Sequence, residues 1–201
     1  MDRAAWNARY AGSELVWSIE PNRFVAEALA GPAPAGGRAI DVAAGEGRNA
    51  IWLAEQGWQA TALDYAEVAL AKAAELAAER GVALRTEVAD ATAWEPEPGS
   101  YELVLIAYLQ LPVEQYRMVL ERAARAVAAG GRLFIVGHDR SNLDGGWGGP
   151  KDPAVLRTPD EVAAVLRELG LTVRRAETVT RTVTTDEGER VAVDHVVDAG
   201  R

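Results

Sequence analysis

Residues 38–50, with the sequence RAIDVAAGEGRNA, are the starting point for the topology of this chain. The mostly apolar run Arg38–Ala43 predicts a buried strand, and a helix is predicted over Asn49–Gln56. Between them, glycines at positions 45 and 47 allow the backbone to turn tightly and to approach a ligand. The first turn of the helix adds N–H groups that lack partners. Strand, glycine turn and helix in this order predict a ligand site at the carboxyl end of the strand.

On the carboxyl side of this unit, strand and helix patterns alternate. Further strands are predicted over Gln59–Asp64, Ala83–Asp90, Tyr101–Tyr108 and Arg132–Gly137, and helices over Val68–Arg80, Val113–Ala128 and from the capping box at Thr158 to Leu169. Leu171–Thr185 and Arg190–Ala199 are two β-rich runs joined by a short polar turn. These patterns predict an α/β fold of the doubly wound, Rossmann-like type. Its mostly parallel seven-stranded sheet carries helices on both faces and a C-terminal antiparallel hairpin at one edge.

Composition limits the class of protein. The chain has 201 residues, of which 49% are hydrophobic and 25% charged, values that suit a single globular domain. A net charge of −9 without a long basic run argues against a nucleic-acid partner. No apolar stretch reaches the roughly 18 residues of a membrane span, and the N-terminus lacks a signal-peptide pattern, so we expect no membrane partner and a cytoplasmic location. With no cysteine and only His138 and His195, no metal site is expected.

The charges around the glycine turn distinguish two kinds of ligand. Gly45, Gly47 and Ala50 match the G-x-G-x-x-G/A fingerprint of dinucleotide-binding proteins. A pyrophosphate at this turn, however, would meet the carboxylates of Asp41 and Glu46, which repel it. Carboxylates instead favour a ligand that carries an ammonium or sulfonium group.

Two more acids end the next two predicted strands. Asp64 ends the second strand, 19 positions after Gly45, where a carboxylate can accept hydrogen bonds from both hydroxyls of a ribose. Asp90 ends the third strand and is placed to accept a hydrogen bond from an adenine amino group. The four acids together predict a site for a positively charged adenosine compound.

Three motifs in chain order resemble the cofactor motifs of class I S-adenosylmethionine-dependent methyltransferases. They are DVAAGEGRN at residues 41–49, Leu63-Asp64, and VADA at residues 88–91. The Gly-Arg-Asn ending of the first motif is similar to the small thiopurine- and tellurite-type methyltransferases. The N-terminal pattern WNARY at residues 6–10, followed by Trp17 and Pro21-Asn22, is similar to them as well. This resemblance spans most of the chain and implies S-adenosylmethionine as cofactor and S-adenosylhomocysteine as product.

The resemblance also implies which residues hold the cofactor. Asp41 faces the amino end of the methionyl group through water, Arg48 and Asn49 line the same group, and Tyr65 and Ala91 pack against the adenine. The complete set of expected cofactor positions is Asp41, Ala43, Gly45, Gly47, Arg48, Asn49, Asp64, Tyr65, Asp90 and Ala91. Ala43 stands where the family often has its first glycine, and because its methyl group favours negative φ, we expect a slightly wider turn.

Candidates for chemistry at the methyl acceptor end the fourth and fifth predicted strands. An imidazole can accept a proton near neutral pH, and Asp139 either orients His138 or caps the following turn. We therefore expect the catalytic residues among His138, Asp139 and Tyr108, with Gln110 lining the acceptor pocket. In the alternative interpretation, His138 is a strand-end residue that bonds to the backbone and takes no part in catalysis. A general base is needed only when the nucleophile arrives protonated.

Four aromatic residues complete the expected substrate pocket. Trp147 lies in the glycine-dense loop Asn142–Pro150, where it either closes over a substrate or anchors a surface loop to the core. Trp6, Tyr10 and Trp17 precede the first strand. They form an aromatic lid over cofactor and acceptor, or they pack an N-terminal helix on the sheet.

These observations lead to one functional expectation and two alternatives. We expect a single methyltransferase domain over residues 1–201, with a helical lid segment at residues 1–37 and a Rossmann-like core at residues 38–201. It transfers a methyl group to an O, N, S or metalloid centre of a small molecule by in-line displacement, as a monomer or homodimer. The alternatives are a non-catalytic protein that binds S-adenosylmethionine and a nicotinamide-dependent oxidoreductase.

Overall fold

The protein folds around one seven-stranded sheet, and the strand predicted at the start of residues 38–50 lies near its centre. The computed structural model describes residues 2–12, 14–16 and 18–201. The strands are β1 (Arg38–Val42), β2 (Gln59–Asp64), β3 (Leu84–Val88), β4 (Tyr101–Ala107), β5 (Val127–His138), β6 (Thr172–Thr185) and β7 (Gly188–Gly200). Their order across the sheet is β3-β2-β1-β4-β5-β7-β6. Strands β1 to β5 are parallel, while β7 is antiparallel to both β5 and β6. The predicted fold, with its hairpin edge, is therefore confirmed.

Helices cover both faces of the sheet. They are α1 (Arg3–Tyr10), α2 (Arg23–Ala28), α3 (Arg48–Glu55), α4 (Glu67–Glu79), α5 (Val113–Ala126) and α6 (Pro159–Glu168). Successive residues of a strand point to opposite faces. Accordingly, Leu103 and Leu105 of β4 pack in the cluster that includes Phe24 of α2, whereas Val104 and Ile106 pack in the cluster of α5 and α6. Within the described residues, no helix has the length and apolar character needed to cross a bilayer.

The connection from β3 to β4 places the ligand site. After β1, the chain adds β2 and β3 on one side, then returns to place β4 on the other side of β1. This reversal opens a crevice beyond the carboxyl ends of β1 and β4, which is where open α/β sheets bind ligands.

Some predicted boundaries are wrong: β3 ends at Val88, so Asp90 follows the strand, and β7 begins at Gly188. The largest difference lies between the helix and the strand after β4. The expected helix over Val113–Ala128 ends at Ala126, and the expected strand Arg132–Gly137 begins five residues early, at Val127. Val127 is fully buried and pairs with Tyr101, the first residue of β4. The register then shifts before the regular pairing of β4 and β5 begins at Leu103. Pairing with β4 thus overrides the helical pattern. The capping box at Thr158 is confirmed, with Thr158 and Glu161 bonded reciprocally at the start of α6.

Candidate active site

The turn after β1 is held in a left-handed conformation. Ala43, Gly45 and Gly47 have φ values of 62°, 55° and 77°. The expectation that Ala43 keeps a negative φ and widens the turn is therefore wrong: the turn keeps the tight geometry and Ala43 carries the strain. A side chain at Gly47 would place its Cβ 2.7 Å from the Cβ of Ala73, so α4 packs directly on the turn.

Asp41, near the end of β1, is a buried carboxylate without a hydrogen-bond partner. Its side chain is 1% exposed, and neither oxygen is bonded to any residue that the structure describes. Burial raises the pKa of Asp41 to about 7, and the charge of Asp64 adds to the shift, while the charge of Arg48 and the nearby donors of Asn49 and the Ala50 backbone oppose it. Arg48 acts at longer range, since no salt bridge joins it to Asp41 in the described part of the chain. A buried carboxylate of this kind is stabilised by a cationic hydrogen-bond donor.

Asp64, at the end of β2, ties two loops together. Its Oδ2 accepts a hydrogen bond from the Gly45 N–H at 2.8 Å, and its Oδ1 accepts one from the Ala66 N–H at 2.8 Å. Burial raises the pKa of Asp64, and these backbone donors offset part of that shift. Each carboxylate oxygen has a second lone pair, so Asp64 can support the glycine turn and still accept from a ligand.

The residues expected around an adenine lie beside Asp64. Burial raises the pKa of Tyr65, and the negative charges of Asp64 and Asp90 raise it further. Asp90 is exposed and uses only its Oδ1 to cap a turn, accepting from the N–H and hydroxyl of Thr92 at 2.8 and 2.7 Å. Ala91 is 9% exposed and belongs to the core.

Glu46 does not face the crevice as an unpaired charge. It is 4% exposed, and Lys72 donates to it at 3.1 Å. Its other oxygen accepts from the Val16 N–H at 2.9 Å, and Lys72 also bonds the Glu14 carbonyl at 3.0 Å. The expectation that Glu46 repels a pyrophosphate is therefore wrong, because α4 supplies the neutralising cation. Glu46 instead anchors the N-terminal segment on the glycine turn.

A second contact joins the N-terminal segment to the start of α3. The Asn22 N–H donates to Asn49 Oδ1 at 2.9 Å, and Arg48 donates to the Ser18 hydroxyl at 3.0 Å. Asn22 also caps α2 through its own side-chain oxygen. Arg48 and Asn49 thus lie where the N-terminal segment crosses the crevice.

On the other side of the crevice, a buried network is centred on Asp194 of β7. Asp194 is fully buried and accepts from three side chains: the Tyr108 hydroxyl at 2.8 Å, Arg181 Nε at 2.7 Å, and His138 Nδ1 at 3.1 Å. Burial raises the pKa of Asp194, but hydrogen bonds from His138 and Tyr108 and the charge of Arg181 outweigh it and hold the pKa below its ordinary value. Asp194 is therefore ionised and accepts all three bonds.

The imidazole of His138 lies between an aromatic ring and a glycine. Its ring centroid is 4.7 Å from that of Tyr108, and a Cβ added to Gly149 would be 3.0 Å from its ring. His138 and His195 both line a cavity of about 10 Å³, together with Tyr108, Gln110, Tyr116 and Arg157. Burial lowers the pKa of His195 to about 4, so this second imidazole stays neutral at physiological pH.

Comparison with known proteins relates the part of the chain that contains these acids to a known family. Residues 39–131, which contain Asp41, the glycine turn, Asp64 and Asp90, match a family model described as a methyltransferase domain. Residues 39–131 form a methyltransferase domain. The predictions of an S-adenosylmethionine-dependent methyltransferase, and of that cofactor, are confirmed at this level. No curated protein matches the chain.

Solved structures similar to this methyltransferase span the whole chain. One, from work on the conversion of a disulfide bond into a thioacetal group during echinomycin biosynthesis, has 20% identity and a TM-score of 0.77, covering 99% of this chain and 92% of that one. TehB from Haemophilus influenzae has 17% identity and a TM-score of 0.70, covering 99% and 66%. An S-adenosylmethionine-dependent methyltransferase from Aquifex aeolicus has 17% identity and a TM-score of 0.66, covering 99% and 98%. At these identities the similarity concerns the fold.

Two expected catalytic residues of the methyltransferase have other partners. Asp139 does not orient His138: its Oδ1 accepts from the Ser141 N–H and hydroxyl, at 2.8 and 2.6 Å, and caps the turn after β5. Tyr108 donates to Asp194, and burial raises its pKa well above the usual range, so its hydroxyl stays protonated. Asp139 therefore caps a turn, and the Tyr108 hydroxyl acts as a hydrogen-bond donor to Asp194.

The aromatic residues expected in the substrate pocket do not lie together in the structure. Trp147 is 41% exposed and stacks against Arg190, so it neither closes the crevice nor reaches the core; the buried Asn142 anchors its loop instead. Trp6 stacks on Tyr10, and both pack against α4 beside Tyr65, on the cofactor side. Trp17 lies outside the described residues.

The sequence reasoning missed Asp194 and Arg181. Asp194 stands in the otherwise mainly apolar run Val191–Val197, and an aspartate is almost never fully buried unless it is paired. That signal was present in the sequence. Its partners come from β4, β5 and β6, and only the folded sheet brings them together.

Proposed function

We propose that this methyltransferase transfers a methyl group from S-adenosylmethionine to a small-molecule acceptor held at the carboxyl ends of β4 and β5. The observation that carries the proposal is the unpartnered, buried carboxylate of Asp41 beside the glycine turn. An α-ammonium group supplies the cationic donor that this carboxylate lacks. A pyrophosphate supplies only further negative charge.

The remaining cofactor residues fit the same ligand. Asp64 keeps one lone pair on each oxygen for ribose hydroxyls, and Asp90 keeps Oδ2 for an adenine amino group. Tyr65 provides an apolar ring beside both carboxylates. When bound, S-adenosylmethionine supplies an electrophilic methyl group on a sulfonium. The chain's own task is then to hold it in line with the nucleophile and to exclude water.

The N-terminal segment serves as the cover of this site. Val16 donates to Glu46 in the glycine turn and Asn22 donates to Asn49 at the start of α3, and these contacts support a cover formed by the N-terminal segment. Residues 38–201 form the core beneath. In this arrangement, ligand entry requires the bonds of Val16 and Asn22 to open and product binding favours their closure.

His138 is the candidate proton acceptor for nucleophiles that arrive protonated. It lines the cavity beside Gln110, and that cavity has room for about one water molecule. A methyl acceptor therefore enters when the loop containing Gly149 moves off the imidazole. The restricted space supports a small molecule, and the net charge of −9 does not favour nucleic acid. We further propose that the enzyme is cytoplasmic and acts as a monomer or homodimer.

Methyl transfer from isotopically labelled S-adenosylmethionine tests the proposal. The acceptor panel comprises phenols, thiols, amines, carboxylic acids, selenite and tellurite, and release of S-adenosylhomocysteine is measured alongside. We expect turnover of at least one class, and loss of turnover in Asp64→Ala, with Asp198→Asn as a control at the opposite end of the sheet. Binding of S-adenosylhomocysteine without any turnover would instead indicate a non-catalytic binding protein.

A further inference from the structure

The two oxygens of Asp194 accept different numbers of hydrogen bonds. Oδ2 accepts from both Tyr108 and Arg181, whereas Oδ1 faces only His138 Nδ1. Because the ionised carboxylate has no proton to donate, Nδ1 must carry the proton of this bond. In the neutral imidazole, the proton then resides on Nδ1 and Nε2 is left with a free lone pair.

The surroundings of His138 leave that lone pair available. No hydrogen bond to Nε2 exists within residues 2–12, 14–16 and 18–201, and the imidazole borders the cavity at the end of β5. The groups that face it are Tyr108 from β4, Asp194 and the neutral His195 from β7, and, through Asp194, Arg181 from β6. Arg157 borders the same cavity but is bonded to backbone carbonyls.

We infer that Asp194 is a positioning residue that holds His138 with Nε2 as proton acceptor, for methyl acceptors whose nucleophilic oxygen or sulfur carries a proton. This inference rests on the proposed function. His138 Nε2 takes the proton of the O–H or S–H bond while the oxygen or sulfur forms its bond to the methyl carbon. The methyl–sulfonium bond breaks, its electron pair stays on sulfur, and S-adenosylhomocysteine leaves as a neutral thioether. The protonated imidazole lies against the negative charge of Asp194 and later returns its proton to water.

The other contacts of Asp194 keep this arrangement fixed. Arg181 and Tyr108 occupy Oδ2, so the carboxylate cannot rotate without losing two hydrogen bonds. Asn22, from the N-terminal segment, donates to the Tyr108 hydroxyl at 3.1 Å. The same segment bonds Asn49 beside the cofactor positions. Asn22 therefore contacts both the Asp194 network and the start of α3.

Asparagine at position 194 reverses the imidazole tautomer. In Asp194→Asn, Arg181 and Tyr108 claim the single carbonyl oxygen, so the amide NH₂ faces His138 Nδ1. Nδ1 must then accept, and the proton moves to Nε2, where it blocks the base. The matched control is Asp198→Asn, which removes an Arg–Asp pair on the same strand, bonded at 2.8 and 3.0 Å to Arg132, without contacting His138.

Long-range ¹H–¹⁵N NMR of the histidine rings reports the tautomer of His138 and needs no methyl acceptor. The spectrum is simple to assign because the chain has only two histidines. We expect the Nδ1–H tautomer at His138 in the native protein and in Asp198→Asn, and the Nε2–H tautomer in Asp194→Asn, with His195 as internal reference. His138→Gln assigns the signals. The Nε2–H tautomer in the native protein, or an unchanged tautomer in a folded Asp194→Asn, would overturn the inference.

A double-mutant cycle tests the catalytic consequence on a phenol or thiol from the panel. His138→Gln is expected to lower kcat about a hundredfold, the usual scale of general-base catalysis. Asp194→Asn is expected to lower kcat about tenfold in the native background and not further in His138→Gln. Equal losses in both backgrounds would reveal a merely structural Asp194. If the protein does not bind S-adenosylhomocysteine, the proposed function is wrong. The NMR experiment still decides whether Asp194 sets the tautomer of His138.

Discussion

Asp41 and Asp194 are both buried aspartates at the carboxyl edge of the sheet, yet their surroundings are opposite. Asp194 accepts from three side chains, and its pKa lies below the ordinary value. Asp41 accepts from none of the described residues, and burial raises its pKa to about 7. A buried carboxylate whose oxygens are satisfied within the protein needs no further partner, whereas one that is left unsatisfied calls for one. The acceptor side is therefore complete by itself, and the cofactor side is complete only with a cationic ligand bound.

The largest effect is expected from removal of the satisfied carboxylate. Asp194→Ala leaves the partly buried Arg181 and the Tyr108 hydroxyl without an acceptor, so we expect the free energy of unfolding to fall by about 3 kcal/mol. Urea denaturation measures it. A loss as small as that of an exposed aspartate such as Asp186 would mean that the network is not formed.

Asp64 is expected to affect ligand binding more than any other cofactor residue. Asp64→Ala removes the ribose acceptor and the bonds that support Gly45 and Ala66, so the affinity for S-adenosylhomocysteine should fall about a hundredfold. Calorimetric titration measures this affinity. Unchanged affinity in the folded variant would invalidate the site assignment.

Asp41→Asn is expected to raise the free energy of unfolding at pH 8 and to lower the affinity for S-adenosylhomocysteine. The folded-state pKa of about 7 exceeds the unfolded value of 3.8, so the folded protein retains a proton that the unfolded chain has lost. Stability therefore falls as pH rises from about 4 to about 7, and between pH 6 and pH 8 the contribution of Asp41 is a loss of about 1.4 kcal/mol. We expect Asp41→Asn to abolish this loss, which urea denaturation at the two pH values checks.

Binding has the reverse dependence on the same carboxylate. Because the ammonium group binds the ionised form, the affinity of the native protein for S-adenosylhomocysteine should rise about tenfold from pH 6 to pH 8. In Asp41→Asn the affinity should be lower and this rise absent. An equal rise in the variant would assign the pH dependence to another group.

The smallest expected effect concerns the glycine turn. Ala43 has a φ of 62°, a conformation that costs a non-glycine residue roughly 1 kcal/mol, so Ala43→Gly should raise the free energy of unfolding by up to about 1 kcal/mol. Gly47→Ala is the matched opposite, because its Cβ meets Ala73 at 2.7 Å. Thermal denaturation of both variants should show opposite signs.

The two sides of the crevice also differ in how far the sequence predicts them. The cofactor side consists of short motifs that each end a strand, so Asp41, Asp64 and Asp90 were found from local patterns. Even there, the pairing of Glu46 with Lys72, 26 residues away, was invisible. Whether the ten expected cofactor residues contact the ligand stays a prediction.

The acceptor side depends on contacts between distant parts of the chain. Asp194 meets His138 because β7 inserts between β5 and β6, and this register places residue 194 opposite residue 138. Sequence patterns give the hairpin but not which strand it joins. The sequence therefore favours Asp139, the acid next to His138 along the chain, as its partner, whereas in the fold the partner is Asp194.

Calorimetric titration with S-adenosylhomocysteine and, separately, with NADH examines whether Asp41 is reserved for a cationic ligand. We expect micromolar binding of S-adenosylhomocysteine to the native protein, weaker binding to Asp41→Asn, and no binding of NADH. Binding of NADH alone, or binding of S-adenosylhomocysteine that Asp41→Asn leaves unchanged, would contradict it.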